Sequence, residues 1–206
     1  MEFRVNGSDP KLPQYGVYMR DIDVRTALHA QLAVEHADEL DDTLIVDELG
    51  LCGEARVDVA VINGALSGFE LKSAKDNLRR LPRQVDVYSQ VLDLAVLVVA
   101  ENHLADAREI IKPWWGLTVA QSSGSEVLLS VERSPRVNRS VDAMSLAQLL
   151  WREEALEELT IRDADRGVRS KPRWAVWTRL TEVVEVDELR TVVRQKLKAR
   201  QSWRDC

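Results

Sequence analysis

The stretch ARVDVAVIN (residues 55–63) is followed closely by LSGFELKS (residues 66–73). Both segments are rich in apolar and β-branched residues, as short buried strands are, yet each carries charged side chains. Asn63-Gly64 lies between them, and Asn-Gly is the strongest short signal for a β-hairpin. The sequence therefore predicts two antiparallel strands with charges inside them.

The charged residues of this hairpin are expected to meet on one face. Side chains two apart on a strand point the same way, so Glu70 and Lys72 project together, away from the core side of Leu71. Pairing through the hairpin brings Asp58 to the same face. Buried carboxylate and ammonium groups must be paired or bound to a metal, so two carboxylates and a lysine predict a Mg²⁺ site.

A structural interpretation of the same residues stays open at this point. Asp58 and Glu70 could instead form ion pairs with Arg56 and Lys72 at the surface of a sheet. The sequence alone does not decide between the two arrangements.

Asp58 followed by Glu70-Leu71-Lys72 resembles the signature of the PD-(D/E)XK nuclease superfamily, an acid on one strand and then (D/E)-x-K on the next. Val57 precedes Asp58 where the signature has proline. Gln84 and Tyr88 are similar to the Q-x3-Y motif of the RecB-like branch, and Glu48 resembles the upstream glutamate. The resemblance covers about residues 20 to 120, and the chain also resembles small bacterial and phage members of the superfamily.

The resemblance implies a metal-dependent nuclease site. Asp58, Glu70 and Glu48 would be ligands of Mg²⁺, for which Mn²⁺ could substitute, together with the carbonyl of Leu71. Lys72 would orient the attacking water or offset charge at the phosphate. Glu35 on the first helix is the rival to Glu48, because some members carry this glutamate on the helix. Asp47, beside Glu48 on a strand, is expected to point to the opposite face.

Two further residues are expected to support those ligands. Gln84 and Tyr88 share one face of a helix at i, i+4, where they would orient the metal ligands or the phosphate. A core tyrosine with a satisfied hydroxyl and a surface amide is the alternative interpretation of this pair.

Hydrophobic periodicity predicts an α/β fold in the order helix, three strands, helix, strand, followed by a helical C-terminal appendage. This order matches what the resemblance implies, a restriction-endonuclease-like αβββαβ core with a mixed sheet flanked by helices. The predicted helices are about 21–37, 76–92, 104–111, 145–159, 174–180 and 186–200. The predicted strands are 44–49, 55–62, 66–72, 94–100, 117–120 and 127–131.

The chain is expected to divide into a mobile lead-in at 1–18, a nuclease-like core at 19–131 and a basic helical appendage at 140–206. Either Met1 or Met19 could be the natural start. No apolar run is long enough to span a membrane, and no signal peptide is visible. Cys52 and Cys206 lie far apart, which favours a reducing cytoplasm over a disulfide framework.

The net charge of −6 is unevenly distributed. Residues 161–206 hold 12 Lys/Arg against 7 Asp/Glu, so the rest of the chain is strongly acidic. This asymmetry predicts a basic arm that binds nucleic acid, although a solvated helix surface explains it equally. Trp174, Trp177 and Trp203 flank this segment and could either bind single strands or anchor the last helices to the core. The cations expected to contact phosphates are Lys75, Arg79, Arg80, Arg83, Arg194 and Lys198.

The sequence thus predicts a cytoplasmic, Mg²⁺-dependent deoxyribonuclease that binds DNA, with RNA not excluded and a homodimer possible. The alternative is a protein that retains the nuclease fold but serves as a nucleic-acid-binding or regulatory protein with little or no turnover. A leucine-rich helix over 145–159 would then contact a partner. The pathway and the choice between endo- and exonuclease action are not fixed by the sequence.

Overall fold

A computed structural model describes residues 19–124 and 126–200. The expected lead-in at 1–18 lies outside the described residues, as do Trp203 and Cys206. The helices and strands follow in this order: α1 (Asp21–Glu35), β1 (Leu44–Leu51), β2 (Ala55–Ile62), β3 (Leu66–Lys72), α2 (Leu81–Val91), β4 (Leu94–Ala100), α3 (Leu104–Ile110), β5 (Gly116–Ser123), β6 (Glu126–Arg133), α4 (Ala143–Ala147), α5 (Arg152–Ile161), α6 (Arg173–Val183) and α7 (Val186–Ala199).

The six strands form one mixed sheet in the order β1-β2-β3-β4-β5-β6. The pairs β1–β2, β2–β3 and β5–β6 are antiparallel, whereas β3–β4 and β4–β5 are parallel. The parallel pairs require crossovers, and α2 and α3 supply them. The predicted αβββαβ order and the mixed sheet flanked by helices are confirmed.

The two faces of the sheet bury different helices. Along β4, Val96, Val98 and Ala100 join the apolar stripe of α1, which buries Val24, Leu28 and Leu32. Ala95, Leu97 and Val99 point to the opposite face and pack with residues of α2 and α4–α7. A strand buried on both faces is uniformly apolar, which explains the sequence of β4.

The C-terminal helices share one hydrophobic core with the sheet. Leu159 of α5, Leu180 of α6 and Leu197 of α7 are fully buried in the same cluster as Leu97 of β4. The residues described after β6 therefore complete the domain by covering one face of its sheet.

Two predicted helices have different bounds in the structure. The helix expected from residue 76 begins at Leu81, because the Asp76 carboxylate accepts hydrogen bonds from the backbone N–H and hydroxyl of Ser73 and closes a turn. The helix expected at 145–159 is two helices, α4 and α5, with a break before Trp151. No helix among the described residues is both long and apolar enough to cross a membrane.

Candidate functional site

Asp58 lies where the ladder between β2 and β3 opens. The last paired residues at this end are Val59 and Phe69. Beyond them, the Asp58 Oδ2 accepts a hydrogen bond of 2.8 Å from the backbone N–H of Leu71. A side-chain carboxylate thus takes the place of a ladder bond, which fixes its position beside the acidic residue of β3.

Glu70 is the most buried carboxylate of the site, with a side chain only 1% exposed. Lys72, which is 5% exposed, donates to Glu70 Oε1 as predicted for two residues on one strand face. Gln84 Nε2 donates to the same oxygen at 2.6 Å, and the Tyr88 hydroxyl donates to Oε2. Three side-chain donors therefore offset the cost of burying this carboxylate.

Tyr88 connects the site to the core. Its hydroxyl also lies 2.8 Å from the backbone carbonyl of Arg56, and its ring stacks on Trp115 with centroids 5.6 Å apart. Burial and the nearby Glu70 carboxylate raise the pKa of the Tyr88 phenol. The hydroxyl therefore stays protonated and serves as a donor, which makes Tyr88 both a core residue and a partner of the site.

Asp58 and Glu70 influence each other's charge. Burial, and after it the Glu70 carboxylate, raise the pKa of Asp58 to about 7. The Leu71 N–H, Lys72 and Arg25 act in the opposite direction but do not cancel these effects. Desolvation and a nearby like charge both disfavour the ionised form of a carboxyl group, and here they outweigh the neighbouring cations.

Glu48 has a backbone conformation that few non-glycine residues adopt. Its φ is +60°, in the left-handed region, although it lies within β1. The usual alternation of side chains breaks here, so Asp47 and Glu48 both contact Arg25, at 3.5 and 3.4 Å. The expectation that Asp47 points to the opposite face from Glu48 is therefore wrong. Strained backbone of this kind occurs mainly where function or a specific set of contacts maintains it.

Arg25 of α1 is the site residue that the sequence analysis missed. Its guanidinium donates to the backbone carbonyl of Asp58 at 2.6 Å and lies 3.7 Å from the Asp58 carboxylate. It also contacts Glu48 and Asp47, and Asp21 lies 3.4 Å away on its own helix. Its side chain is 15% exposed. Arg25 is therefore the main cation on the α1 side of the Asp58 carboxylate.

The expected cluster of three carboxylate ligands does not form in this arrangement. Among the described residues, no group of three or more His, Cys, Asp or Glu side chains is placed to hold a metal ion. Glu48 forms ion pairs with Arg25 and Arg56. Glu35, the rival candidate, pairs with Gln31 on α1 instead.

The remaining groups still fit a divalent cation at the Asp58–Glu70 pair. Burial first and the Glu70 carboxylate second raise the pKa of Asp58, and a bound cation would offset the repulsion between the two carboxylates. Gln84 Oε1 is buried without a hydrogen-bond partner, so an oxygen acceptor remains available beside Glu70. Leu71, whose carbonyl was expected to be a ligand, lies between the two residues of the ion pair on β3.

The cations expected to follow β3 lie on the surface near the site. Lys75, Arg79, Arg80 and Arg83 are all exposed, and the first three belong to the turn that precedes α2. Arg83 lies 3.5 Å from Glu54. Their contact with phosphates stays a prediction.

The two cations expected on α7 have structural partners. Arg194 forms an ion pair of 3.0 Å with the buried Asp93, and Lys198 pairs with Asp42. Arg194 is therefore committed to the core and is not part of a phosphate-binding face. The broader expectation of a basic arm is also weakened, because several neighbouring cations are paired: Arg162, Arg190, Lys196 and Arg200.

Comparison with known proteins gives a family and two structural likenesses. The family model described as bacteriophage P4 protein cII matches residues 19–206. Protein cII of Enterobacteria phage P4 is 28% identical over 99 residues, which are 48% of this chain and 38% of that protein. The aligned part thus spans well under half of that curated relative.

Two solved structures match this chain weakly. A protein of unknown function from Silicibacter pomeroyi matches with a TM-score of 0.43 and 14% identity, over 73% of this chain and 97% of that one. SfsA from Pyrococcus furiosus, solved in complex with Ca²⁺, matches with a TM-score of 0.31 and 12% identity, over 55% and 63%. At these TM-scores neither likeness bears on the function.

Proposed function

The chain belongs to the bacteriophage P4 protein cII family, and we propose that it is a metal-dependent nuclease that hydrolyses phosphodiester bonds of DNA. The observation that carries the proposal is the convergence of Asp58, Glu70 and Lys72 at the point where β2 and β3 separate. Ionisable groups with perturbed pKa values and a buried charge partner are concentrated at functional sites.

Asp58 and Glu70 are the residues that would hold Mg²⁺, with the Gln84 amide oxygen close by. Bound Mg²⁺ supplies Lewis-acid stabilisation of phosphate charge and an activated water. Lys72 contributes positive charge next to Glu70, where a phosphate oxygen would need it. Gln84 and Tyr88 hold Glu70 in place through their hydrogen bonds, and Leu71 does the same for Asp58.

A binding or regulatory protein without turnover is the second candidate. It is favoured by the ion pairs that already neutralise the acidic residues, Lys72 with Glu70 and Arg25 with Asp58 and Glu48. In this case the cluster is a structural network that holds α1 and the hairpin together. DNA would then be bound by surface cations and released uncut.

Cleavage by the purified protein separates the two candidates. Supercoiled DNA, linear DNA and RNA are each incubated with Mg²⁺, with Mn²⁺ and with EDTA. The nuclease proposal expects metal-dependent cleavage of DNA that falls by more than about 100-fold in Asp58→Asn, beyond the usual cost of losing an outer-shell partner. Asp58→Asn is the cleanest variant, because Glu70→Gln alone would leave Lys72 buried without its partner.

Two further proteins complete this experiment. The double variant Glu70→Gln with Lys72→Met removes both charges of the buried pair, and it should fold and not cleave. Glu132→Gln is the matched control. Glu132 lies on β6 and forms an exposed ion pair with Arg108 of α3, so this variant should cleave like wild type. Wild-type protein that binds DNA but cuts it under neither metal would establish the second candidate instead.

A further inference from the structure

Trp174 is exposed in a way that its neighbour Trp177 is not. Both lie on α6, and Trp177 Nε1 donates to the backbone carbonyl of Leu150 at 3.1 Å. Trp177 therefore anchors α6 to the turn after α4. Trp174 is 64% exposed, so anchoring the helix does not explain it. A tryptophan ring in solvent offers a large flat surface to a partner.

The segment before Trp174 collects cations that have few acidic partners. Arg166, Arg169, Lys171 and Arg173 are all exposed, and with Trp174 they form what we call the α5–α6 surface. Arg169 pairs with Asp165 at 2.5 Å, whereas no ion pair between described residues includes the other three. Asp163 is the other acidic residue of this loop. This surface thus retains positive charge that ion pairs cancel elsewhere in the C-terminal helices.

Hydrogen bonds to the backbone of the loop between α5 and α6 hold the α5–α6 surface in place. Arg152 Nε of α5 donates to the carbonyl of Lys171 at 3.0 Å. The N–H of Lys171 donates in turn to the carbonyl of Val168 at 2.9 Å. The loop is therefore ordered before any partner arrives, which lowers the entropic cost of binding. Arg173 also lies over the ring of Trp177, 5.3 Å from its centroid.

We propose that the α5–α6 surface binds a single-stranded nucleic acid, with Arg166 and Lys171 on its phosphates and Trp174 stacked on a base. Cationic side chains that follow the backbone, with an aromatic ring for the bases, are the usual means of holding single strands. A duplex hides the faces of its bases, so it would leave the Trp174 ring without a partner. Binding at this surface requires no cleavage. The proposal rests on the proposed function only in taking the ligand to be a nucleic acid.

Fluorescence anisotropy of a labelled oligothymidylate, measured in EDTA, tests the proposal. Trp174→Ala should weaken binding roughly 5- to 150-fold, the usual range for losing one stacked base, and Trp174→Phe should retain most of the affinity. The double variant Arg166→Gln with Lys171→Gln should lower the log–log salt slope by about 1.4, since each phosphate on a single strand contributes about 0.7.

The matched control removes two charges at another place on the surface. Arg108→Gln with Lys112→Gln changes the net charge equally, at cations paired with Glu132 and Asp86, and should leave the slope nearly unchanged. Unaltered binding by Trp174→Ala, or an equal loss in the control, would overturn the proposal. If Trp174→Ala weakened binding to a duplex with the same ends by the same factor, the preference of this surface for single strands would be overturned.

Failure of the nuclease proposal has a different signature. A wild-type protein that binds single strands through Trp174 and cleaves nothing would refute turnover and support this surface. A wild-type protein that binds no oligonucleotide at low salt would refute the surface.

Discussion

Asp58 links protonation to the stability of the metal-free protein. Its pKa is raised from 3.8 to about 7, by burial first and by Glu70 second. A raised pKa means that the folded state holds the proton more tightly than the unfolded state. The stabilisation is therefore complete below pH 4 and is lost as the pH rises through about 7.

We expect Asp58→Asn to be more stable than wild type at pH 8, by on the order of 2 kcal/mol, and to be closer to it at pH 4. Urea denaturation in EDTA across this range measures the difference. Asp106→Asn, at an exposed carboxylate on α3, is the control and should follow the wild-type profile. A pH-independent difference between Asp58→Asn and wild type would mean that Asp58 is ionised throughout this range.

Arg25 competes for the oxygens that a metal would need. Its guanidinium lies against both the carbonyl and the carboxylate of Asp58, and it also neutralises Glu48. We expect Arg25→Met to bind Mn²⁺ more tightly than wild type, by about tenfold, because a positive charge next to the ligands is removed. Calorimetry reports this affinity without reference to cleavage.

Arg20→Met serves as the control for Arg25, because Arg20 is an exposed cation at the start of α1 that pairs with Asp23 alone among the described residues. Its affinity for Mn²⁺ should equal that of wild type. If Arg25→Met binds Mn²⁺ more weakly, Arg25 positions Asp58 for the metal rather than competing with it.

The start of β5 depends on a glycine because the loop after β6 passes close to it. A Cβ on Gly116 would lie 2.9 Å from Pro135 Cδ and 3.1 Å from Pro135 N. The proline ring is rigid, so the backbone would have to move. We expect Gly116→Ala to lower the free energy of unfolding by about 1–3 kcal/mol.

Urea denaturation compares this variant with Gly50→Ala on β1. A Cβ on Gly50 would meet nothing within 4 Å, so that variant should stay within about 0.5 kcal/mol of wild type. Equal effects of the two changes would show that strand propensity, and not the contact with Pro135, determines the loss.

The hairpin and the apolar strand β4 could be predicted because local signals determine them. Asn63-Gly64 specifies the turn, and an uninterrupted apolar run specifies a strand buried on both faces. The break between α4 and α5 has no comparable signal. The Glu154 carboxylate accepts the N–H of Trp151 and starts a new helix, although neither glycine nor proline interrupts the leucine pattern.

The site was predictable to the extent that strand geometry determines it. Glu70 and Lys72 share a face by period alone, and the hairpin brings Asp58 beside them. The place of Arg25 depends on how α1 packs on the sheet and on the positive φ of Glu48, neither of which a local pattern reveals. Pairing of Arg194 with Asp93 is likewise a tertiary contact that charge counting cannot detect.

Asp93 connects α7 to the sheet through hydrogen bonds. It lies between α2 and β4, is buried, and accepts hydrogen bonds from the N–H of Leu66 at 2.7 Å and from Arg190 and Arg194 of α7. Arg190 also donates to the carbonyl of Asn138 at 3.0 Å. The three charges form one network in the interior that α7 shares with the sheet.

We expect Asp93→Ala to lower the free energy of unfolding by about 3–5 kcal/mol, because two partly buried arginines would lose their partner. Asp86→Ala is the control, since Asp86 forms an exposed ion pair of 3.4 Å with Lys112 and should cost less than about 1 kcal/mol. Chemical denaturation of both variants tests the difference. A small loss in Asp93→Ala would mean that the arginines reach solvent when the carboxylate is absent.

The same network sets an order of events during translation. Asp93 leaves the ribosome before its counter-ions, with 97 residues separating it from Arg190 and 101 from Arg194. At ordinary rates of synthesis this gap lasts roughly 5 to 20 s. Until α7 emerges, part of this face of the sheet lacks its cover, and the Asp93 carboxylate lacks its arginines. The nascent chain therefore passes through a period of exposure to proteases and aggregation that ends only when α7 emerges.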